Sequence, residues 1–267
     1  MNQQNFDYLK DQVKYTGFGD GLEKDLKEQL QKQASEFQLA YRIKIGQDMA
    51  AVTLHFKKSD QSDLYFFNRY QLTLKPDQDQ QQINQTFYIH KGQNITLKEA
   101  YNLLNGRAVN KDLLNKEGQI YNAWLQLDFK QTEPNGNFKI KQFHQNYSFN
   151  LEAALAKYHI KELKEEPEKS RLLESLQKGN RQAVTLIQEG REQKHYIEAN
   201  PRFKTMNLYD GNLQRLNHNQ LKAESQTTKH SEKQEMQKTN VKPVQEPAGE
   251  STTPAQKRGK KNGATLH

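Results

Sequence analysis

Between Thr96 and Leu216 the sequence places the same kinds of residue in the same order twice, and this limits the possible folds more than any other feature. The first copy opens with a helical pattern over 96–104 that ends at Gly106. An alternating segment then runs from Tyr121 to Phe129, and a turn at Asn135-Gly136 leads into Phe138. The first copy therefore predicts a helix, a strand and a β-hairpin.

The second copy repeats this order with a helical pattern over 167–177 that ends at Gly179. Its strand patterns cover 183–188, 194–199 and 203–209. The spacing from the glycine to the following Ala-Val pair is longer than in the first copy, and the hairpin is shorter. Equal roles for the two copies are therefore not expected.

The residues before the repeat predict a helical hairpin followed by an antiparallel meander. Apolar residues recur every three or four positions over 6–15 and 22–34, whereas they alternate with polar residues over 37–89. The segment Gly17–Gly21 precedes a helix, as phosphate-binding loops do, but no strand precedes it and no Gly-Lys-Ser/Thr follows. We interpret it as a turn in which Asp20 caps the second helix.

The fold class predicted from these patterns is α+β, with a disordered C-terminal tail. From Lys222 onward the chain has no aromatic residue and is rich in Ser, Thr, Gln, Glu, Lys and Pro, so it cannot bury enough apolar surface to order itself. The predicted segments are the helical hairpin and sheet, the two repeat units and the basic tail, at 1–92, 93–150, 151–221 and 222–267.

Composition limits the cellular compartments and the classes of partner that are expected for this chain. The chain has no cysteine, no basic and apolar N-terminal leader and no apolar run of the roughly 18–20 residues that a membrane helix needs. These features predict a soluble cytoplasmic protein without membrane contact. Of the net charge of +8, half lies in 222–267, which leaves the body mildly basic. That excess fits a phosphate-binding face or an ordinary solvated surface equally well.

No chemical signature accompanies the repeat. The eight histidines are scattered without metal-ligand spacing, and the carboxylates of 162–168 alternate with lysines as a solvated face does. No serine lies in a nucleophile elbow of the Gly-x-Ser-x-Gly type. The sequence therefore predicts no catalytic residue, no metal and no cofactor, and an enzyme with a site assembled from distant carboxylates or histidines is the third hypothesis.

The candidate site residues are aromatic and basic side chains that suit surface recognition. Trp124 falls on a polar strand face, and three residues of the next strand share one face, a pattern typical of a stacking and phosphate-binding platform. The alternative is that a helix covers Trp124 and the lysines only keep the surface soluble. The complete set is Trp124, Lys139, Lys141, Phe143, Arg181, Arg202 and Lys204, with Lys257, Arg258, Lys260 and Lys261 in the tail.

The repeated residues also resemble a known family. The segments that carry the resemblance are Ile95–Val109, Tyr121–Asp128, Gly179–Val184 and Glu198–Phe203. They are similar to uncharacterised tandem domains encoded on conjugative transposons of gut bacteria. Such domains occur in longer proteins and near genes for DNA-processing enzymes, including topoisomerases. The resemblance implies an accessory role in a mobile element and supplies no activity and no catalytic residue.

Two functional hypotheses follow. The first is a non-enzymatic accessory protein of a mobile genetic element that binds DNA or a DNA-processing enzyme. The second is a protein-interaction module, an inhibitor or an assembly factor, whose sheet edges or aromatic strand face bind a partner without nucleic acid. The sequence leaves the oligomeric state open.

Overall fold

The computed structural model describes residues 1–75, 82–90, 94–188 and 190–217. In these residues the protein combines helices with antiparallel sheets, which confirms the predicted mixture of the two. Residues 1–217 form one compact unit, and the boundaries predicted inside it stay predictions. The predicted disordered tail, 222–267, lies outside the described residues, as does the predicted boundary at residue 92.

The described chain contains five α-helices and eleven strands. The helices are α1 (Gln3–Val13), α2 (Glu23–Gln31), α3 (Leu97–Leu104), α4 (Leu151–Leu155) and α5 (Glu168–Gln177). The first strands are β1 (Glu36–Ile45), β2 (Asp48–Lys58), β3 (Tyr65–Lys75) and β4 (Ile83–Tyr88). The remaining strands are β5 (Val109–Leu114), β6 (Ile120–Thr132), β7 (Phe138–His144), β8 (Gln182–Gln188), β9 (Arg191–Asn200), β10 (Thr205–Tyr209) and β11 (Arg215–Leu216).

The two N-terminal helices form the predicted hairpin, joined by a π-helical turn over Lys14–Phe18. The prediction that Asp20 caps α2 is wrong. The N-cap residue is Leu22, which makes no side-chain capping bond, and the Asp20 carboxylate instead lies 3.1 Å from Nζ of Lys14. The backbone carbonyl of Asp20 accepts from Glu23, so Asp20 belongs to the turn before the helix.

The predicted meander is the first sheet, in the order β1-β2-β3-β4, with α1, α2 and α3 on one of its faces. The side chains on that face are buried because strand residues point alternately to the two sides. The shared core includes Leu39, Leu54 and Leu72 of this sheet and Leu125 and Leu127 of β6. Each leucine buried in this way contributes about 1.5–3 kcal/mol.

Two side-chain amides, those of Asn5 and Gln85, each form a pair of hydrogen bonds with the backbone of one distant residue, as a neighbouring strand would. Asn5 donates from Nδ2 to the carbonyl of Tyr65 at 2.9 Å and accepts from its amide at 2.8 Å. Gln85 donates from Nε2 to the carbonyl of Phe138 at 3.2 Å and accepts from its amide at 2.8 Å. The second pair attaches the edge strand β4 to the start of β7.

The helices α3 and α5 end in the same way. In each, the glycine has a left-handed backbone, with φ of 74° at Gly106 and 78° at Gly179, and the two residues after the C-cap donate back into the last turn. The helix start predicted at Thr96 is confirmed, since its hydroxyl accepts from Glu99 N and the Glu99 carboxylate accepts from Thr96 N. The strands β5 and β8 each begin three residues after the glycine. The Ala-Val pair of the second copy lies further from its glycine because both of its residues fall inside β8.

The remaining strands form two more sheets. The middle sheet has the order β5-β6-β7 and the last sheet has the order β11-β10-β9-β8. The helix α5 packs against β8 and β9, and α4 packs against β10. The apolar side chains buried in this part of the chain include Leu155, Leu172, Leu176, Val184, Ile197 and Leu208.

Candidate nucleic-acid interface

Four of the candidate residues share one face of the middle sheet. The register between β6 and β7 pairs Trp124 with Phe143, Gln126 with Lys141, and Asp128 with Lys139. Paired residues in an antiparallel sheet project to the same side, so these side chains lie on the face opposite the buried Leu125 and Leu127. The common face predicted from the alternation is the one observed.

Trp124 lies on this face but does not reach the surface. The chain after β7 turns back through a short 3-10 turn, Gln145–Tyr147, and brings Phe149 edge-on to the indole at 5.3 Å. Trp124 is 6% exposed as a result, which leaves little of its ring for a base to stack on. Phe143 is half-buried, and its ring lies 5.1 Å from the ring of Tyr147.

The two lysines of β7 differ in how they are paired. Lys141 Nζ lies 2.6 Å from Oδ2 of Asp128, whose side chain is buried. The hydrogen bond from Lys141, and a second from the backbone amide of Lys130, hold the pKa of Asp128 below its ordinary value. Lys139 is exposed and has no ion-pair partner within the described part of the chain.

The turn between β9 and β10 places Arg202 and Lys204 beside these lysines. Asn200 accepts from the amide of Phe203 at 3.4 Å and so caps the short 3-10 turn Pro201–Phe203. The Tyr147 hydroxyl donates to the carbonyl of Arg202 at 2.9 Å, and Lys204 Nζ lies 4.8 Å from the centre of the Tyr147 ring. The tyrosine therefore joins the turn of the last sheet to the face of the middle sheet.

We call the resulting area the basic–aromatic surface, and it consists of Lys139, Lys141, Phe143, Tyr147, Arg202, Phe203 and Lys204. Phe203 is 66% exposed, so its ring is open to a partner. The charge of Arg202 contributes to the lowered pKa of Asp128, so this acid faces cations from both sheets. Four cations accompany this one buried carboxylate, and the surface is positive overall.

Arg181, the remaining candidate of the last sheet, is part of a separate polar cluster. Its Nε lies 3.3 Å from Oε2 of the buried Glu198, and its guanidinium lies over the Tyr209 ring at 4.0 Å. Glu198 also accepts from the Tyr209 hydroxyl at 2.6 Å and from Nδ2 of Asn207 at 2.9 Å. Burial, followed by this hydrogen bond to Glu198, raises the pKa of Tyr209 to about 12.

Two residues of the surface were not among the sequence candidates. Phe203 lies between Arg202 and Lys204, so its position in a Pro-Arg-Phe-Lys turn carried a usable signal. Tyr147 had no such signal, because it follows β7 outside any regular period. Lys257, Arg258, Lys260 and Lys261 lie outside the described residues.

Neither a metal cluster nor a membrane-spanning helix is found in the part of the chain that the structure describes. No three His, Asp or Glu side chains come together there as ligands. None of its helices is long and apolar enough to cross a bilayer. Comparison with protein-family models, with curated proteins and with solved structures finds no match to this chain.

Proposed function

We propose that this chain is a non-enzymatic accessory protein of a mobile genetic element and that it binds DNA through the basic–aromatic surface. The observation that carries the proposal is the position of Tyr147 between two basic segments: its ring lies 5.1 Å from that of Phe143, on the strand face of Lys139 and Lys141, and its hydroxyl donates to the Arg202 carbonyl while Lys204 lies over the ring. These cations come from parts of the chain about sixty residues apart. Cations that neutralise phosphates release counterions, which is the main source of affinity for DNA.

The sequence resemblance supports the biological setting. The two helix-and-strand units, α3 with β5–β7 and α5 with β8–β10, share their helix ends and strand order. We propose that they are two copies of one unit, as in the transposon-encoded tandem domains that the sequence resembles. Each copy supplies two of the four cations of the surface, so the proposed DNA site requires both copies.

The test is binding of a short labelled duplex, measured by fluorescence anisotropy over a salt series. The variant Lys139→Ala/Arg202→Ala/Lys204→Ala should weaken binding and reduce the slope of log affinity against log salt by about 0.9 for each phosphate that the protein no longer neutralises. Lys141 is left in place because it pairs with the buried Asp128.

The matched control is Lys98→Ala/Lys116→Ala/Lys157→Ala, which removes the same charge at three exposed positions outside the surface. It should retain the slope of the parent. If the parent fails to bind at low salt, or both variants lose affinity equally, the proposed surface is wrong.

A second candidate function is binding of a protein partner, and one observation favours it. The turn between β5 and β6 carries Ile120, 73% exposed, opposite Leu114, 47% exposed. Two apolar side chains exposed side by side offer apolar surface to a protein partner. A DNA-processing enzyme captured by the parent and lost with Ile120→Ser, with DNA affinity unchanged, would assign the partner to this hairpin.

A further inference from the structure

The first sheet has a second face that none of the helices in the described part of the chain covers. Its strands pair so that Arg42, Ala51, Thr73 and Asn84 form one row across all four strands. The next row consists of Ala40, Thr53, Gln71 and Thr86, and a further row consists of Gln38, His55, Arg69 and Tyr88. All of these side chains are exposed or half-buried, whereas those of the opposite face form the core.

This open face is strongly basic. Its cations are Arg42, Lys44, Lys57, Arg69 and Lys75, and the strands place one acid, Glu36, opposite Lys57. Lys57 lies 3.9 Å from Asp60 of the following turn. The other four cations have no ion-pair partner among the residues that the structure describes. A surface with this balance attracts a polyanion.

Two exposed aromatic rings stand at one end of the face. Tyr88 and Phe66 are each 48% exposed, and the register places them beside Arg69 and Lys57 respectively. Phe66 and Lys57 also line a cavity of about 290 Å³ that continues into the turn after β2. An aromatic ring with a neighbouring cation offers stacking to a base and an ion pair to its phosphate.

Most side chains at the centre of the rows are small. Ala40, Ala51, Thr53, Thr73 and Thr86 lie there around the longer Gln71, with Arg42, Lys44 and Lys75 towards the far end. From Arg69 to Lys75 the strand β3 extends about 20 Å, which is room for several nucleotides.

We infer that the open face of the first sheet binds single-stranded nucleic acid, with bases stacked on Tyr88 and Phe66 and phosphates held by Arg42, Lys44 and Lys75. A duplex hides its bases from such rings, whereas a single strand lays them on an aromatic platform. The inference goes beyond the proposed function, because it concerns a second site that is formed by different residues and takes a different form of nucleic acid. Each of the two sites can therefore fail alone.

The experiment measures anisotropy of labelled oligo(dT), oligo(rU) and a duplex with the full chain and with matched variants. Arg42→Ala/Lys44→Ala/Lys75→Ala should lose at least about tenfold in affinity for oligo(dT), against less than about twofold for the control Lys98→Ala/Lys116→Ala/Lys157→Ala. Tyr88→Ala should lose about fivefold or more, and Tyr88→Phe should bind like the parent because it keeps the ring. Equal losses for oligo(dT) and oligo(rU) would indicate either strand type, and a larger loss for one would name the strand bound.

Two outcomes overturn the inference. In one, the Arg42, Lys44 and Lys75 variant binds oligo(dT) as tightly as the charge-matched control. In the other, the parent prefers the duplex and Tyr88→Ala changes nothing. The variant of Lys139, Arg202 and Lys204 separates the two proposals: loss of duplex binding with oligo(dT) binding unchanged supports the duplex site and shows that the single strand binds elsewhere, as the inference requires. Loss of oligo(dT) binding in that variant, with none in the open-face variant, overturns the inference alone.

Discussion

The side-chain amide of Asn102 in α3 donates a hydrogen bond of 2.6 Å to the carbonyl oxygen of Lys178, the residue that follows α5. The same amide donates to Oδ1 of Asn180 at 3.0 Å, and its oxygen accepts from Nε and Nη2 of Arg107. Carbonyls at a helix end have no partner inside their own helix. One buried asparagine thus completes the end of α5 and fixes it against the end of α3.

Replacement of Asn102 by alanine should destabilise the protein strongly. Asn102 is 1% exposed, so the change removes hydrogen bonds to the Lys178 carbonyl and from the Arg107 guanidinium at a buried position. We expect a loss of about 2–4 kcal/mol in the free energy of unfolding, measured by urea denaturation. The control Asn105→Ala, an exposed residue of the same helix end, should lose less than about 1 kcal/mol. Similar losses in both variants would contradict this role for Asn102.

Gly179→Ala and Gly106→Ala should differ although both replace the glycine that ends a helix. Both carry the cost of a left-handed alanine, about 1–2 kcal/mol. A Cβ at Gly179 would lie 2.8 Å from the Ala108 carbonyl oxygen, whereas one at Gly106 meets nothing closer than a Phe129 ring carbon at 3.6 Å. Gly179→Ala should therefore lose about 1–3 kcal/mol more in urea unfolding. Equal midpoints would show that the two helix ends separate at little cost.

The elements of the fold were predictable where their signals are local. The capping box at Thr96 and the helix stop at Gly106 each lie within a few residues of sequence. The hydrogen bonds made by the side-chain amides of Asn5, Gln85 and Asn102 were not predictable, because their partners lie 60, 53 and 76 residues away. Asparagine and glutamine are so common in this chain that composition does not distinguish a buried bridge from a surface residue.

The part of the candidate surface that lies on one strand was predictable, whereas its contacts with distant parts of the chain were not. A period of two residues places Lys139, Lys141 and Phe143 on one face, so their grouping follows from the sequence. Their approach to Arg202 depends on a hydrogen bond from Tyr147 that spans 55 residues, which no pattern reveals. The burial of Trp124 likewise depends on Phe149 returning over the strand face after a turn.

The Tyr209 hydroxyl should make the protein sensitive to alkali. Its pKa is raised from 10.0 to about 12 in the folded protein, so its contribution to stability is fully present below pH 10. Between pH 10 and about 12 the unfolded chain ionises while the folded chain stays protonated, and that contribution is lost. Unfolding measured against pH should show the parent losing about 1–3 kcal/mol more over this range than Tyr209→Phe. Parallel curves for the two proteins would exclude a raised pKa at Tyr209.

Asp128→Asn should strengthen DNA binding, in contrast to removal of any cation from the basic–aromatic surface. Its carboxylate holds Lys141 at 2.6 Å, and a lowered pKa keeps it ionised at neutral pH. Without that charge Lys141 becomes available to a phosphate, so duplex affinity should rise severalfold at low salt and the salt slope should increase by about 0.9. Glu117→Gln removes the same charge from an exposed turn and should leave both quantities unchanged. Circular dichroism of each variant verifies the fold, and an equal gain from Glu117→Gln would mean that only net charge matters.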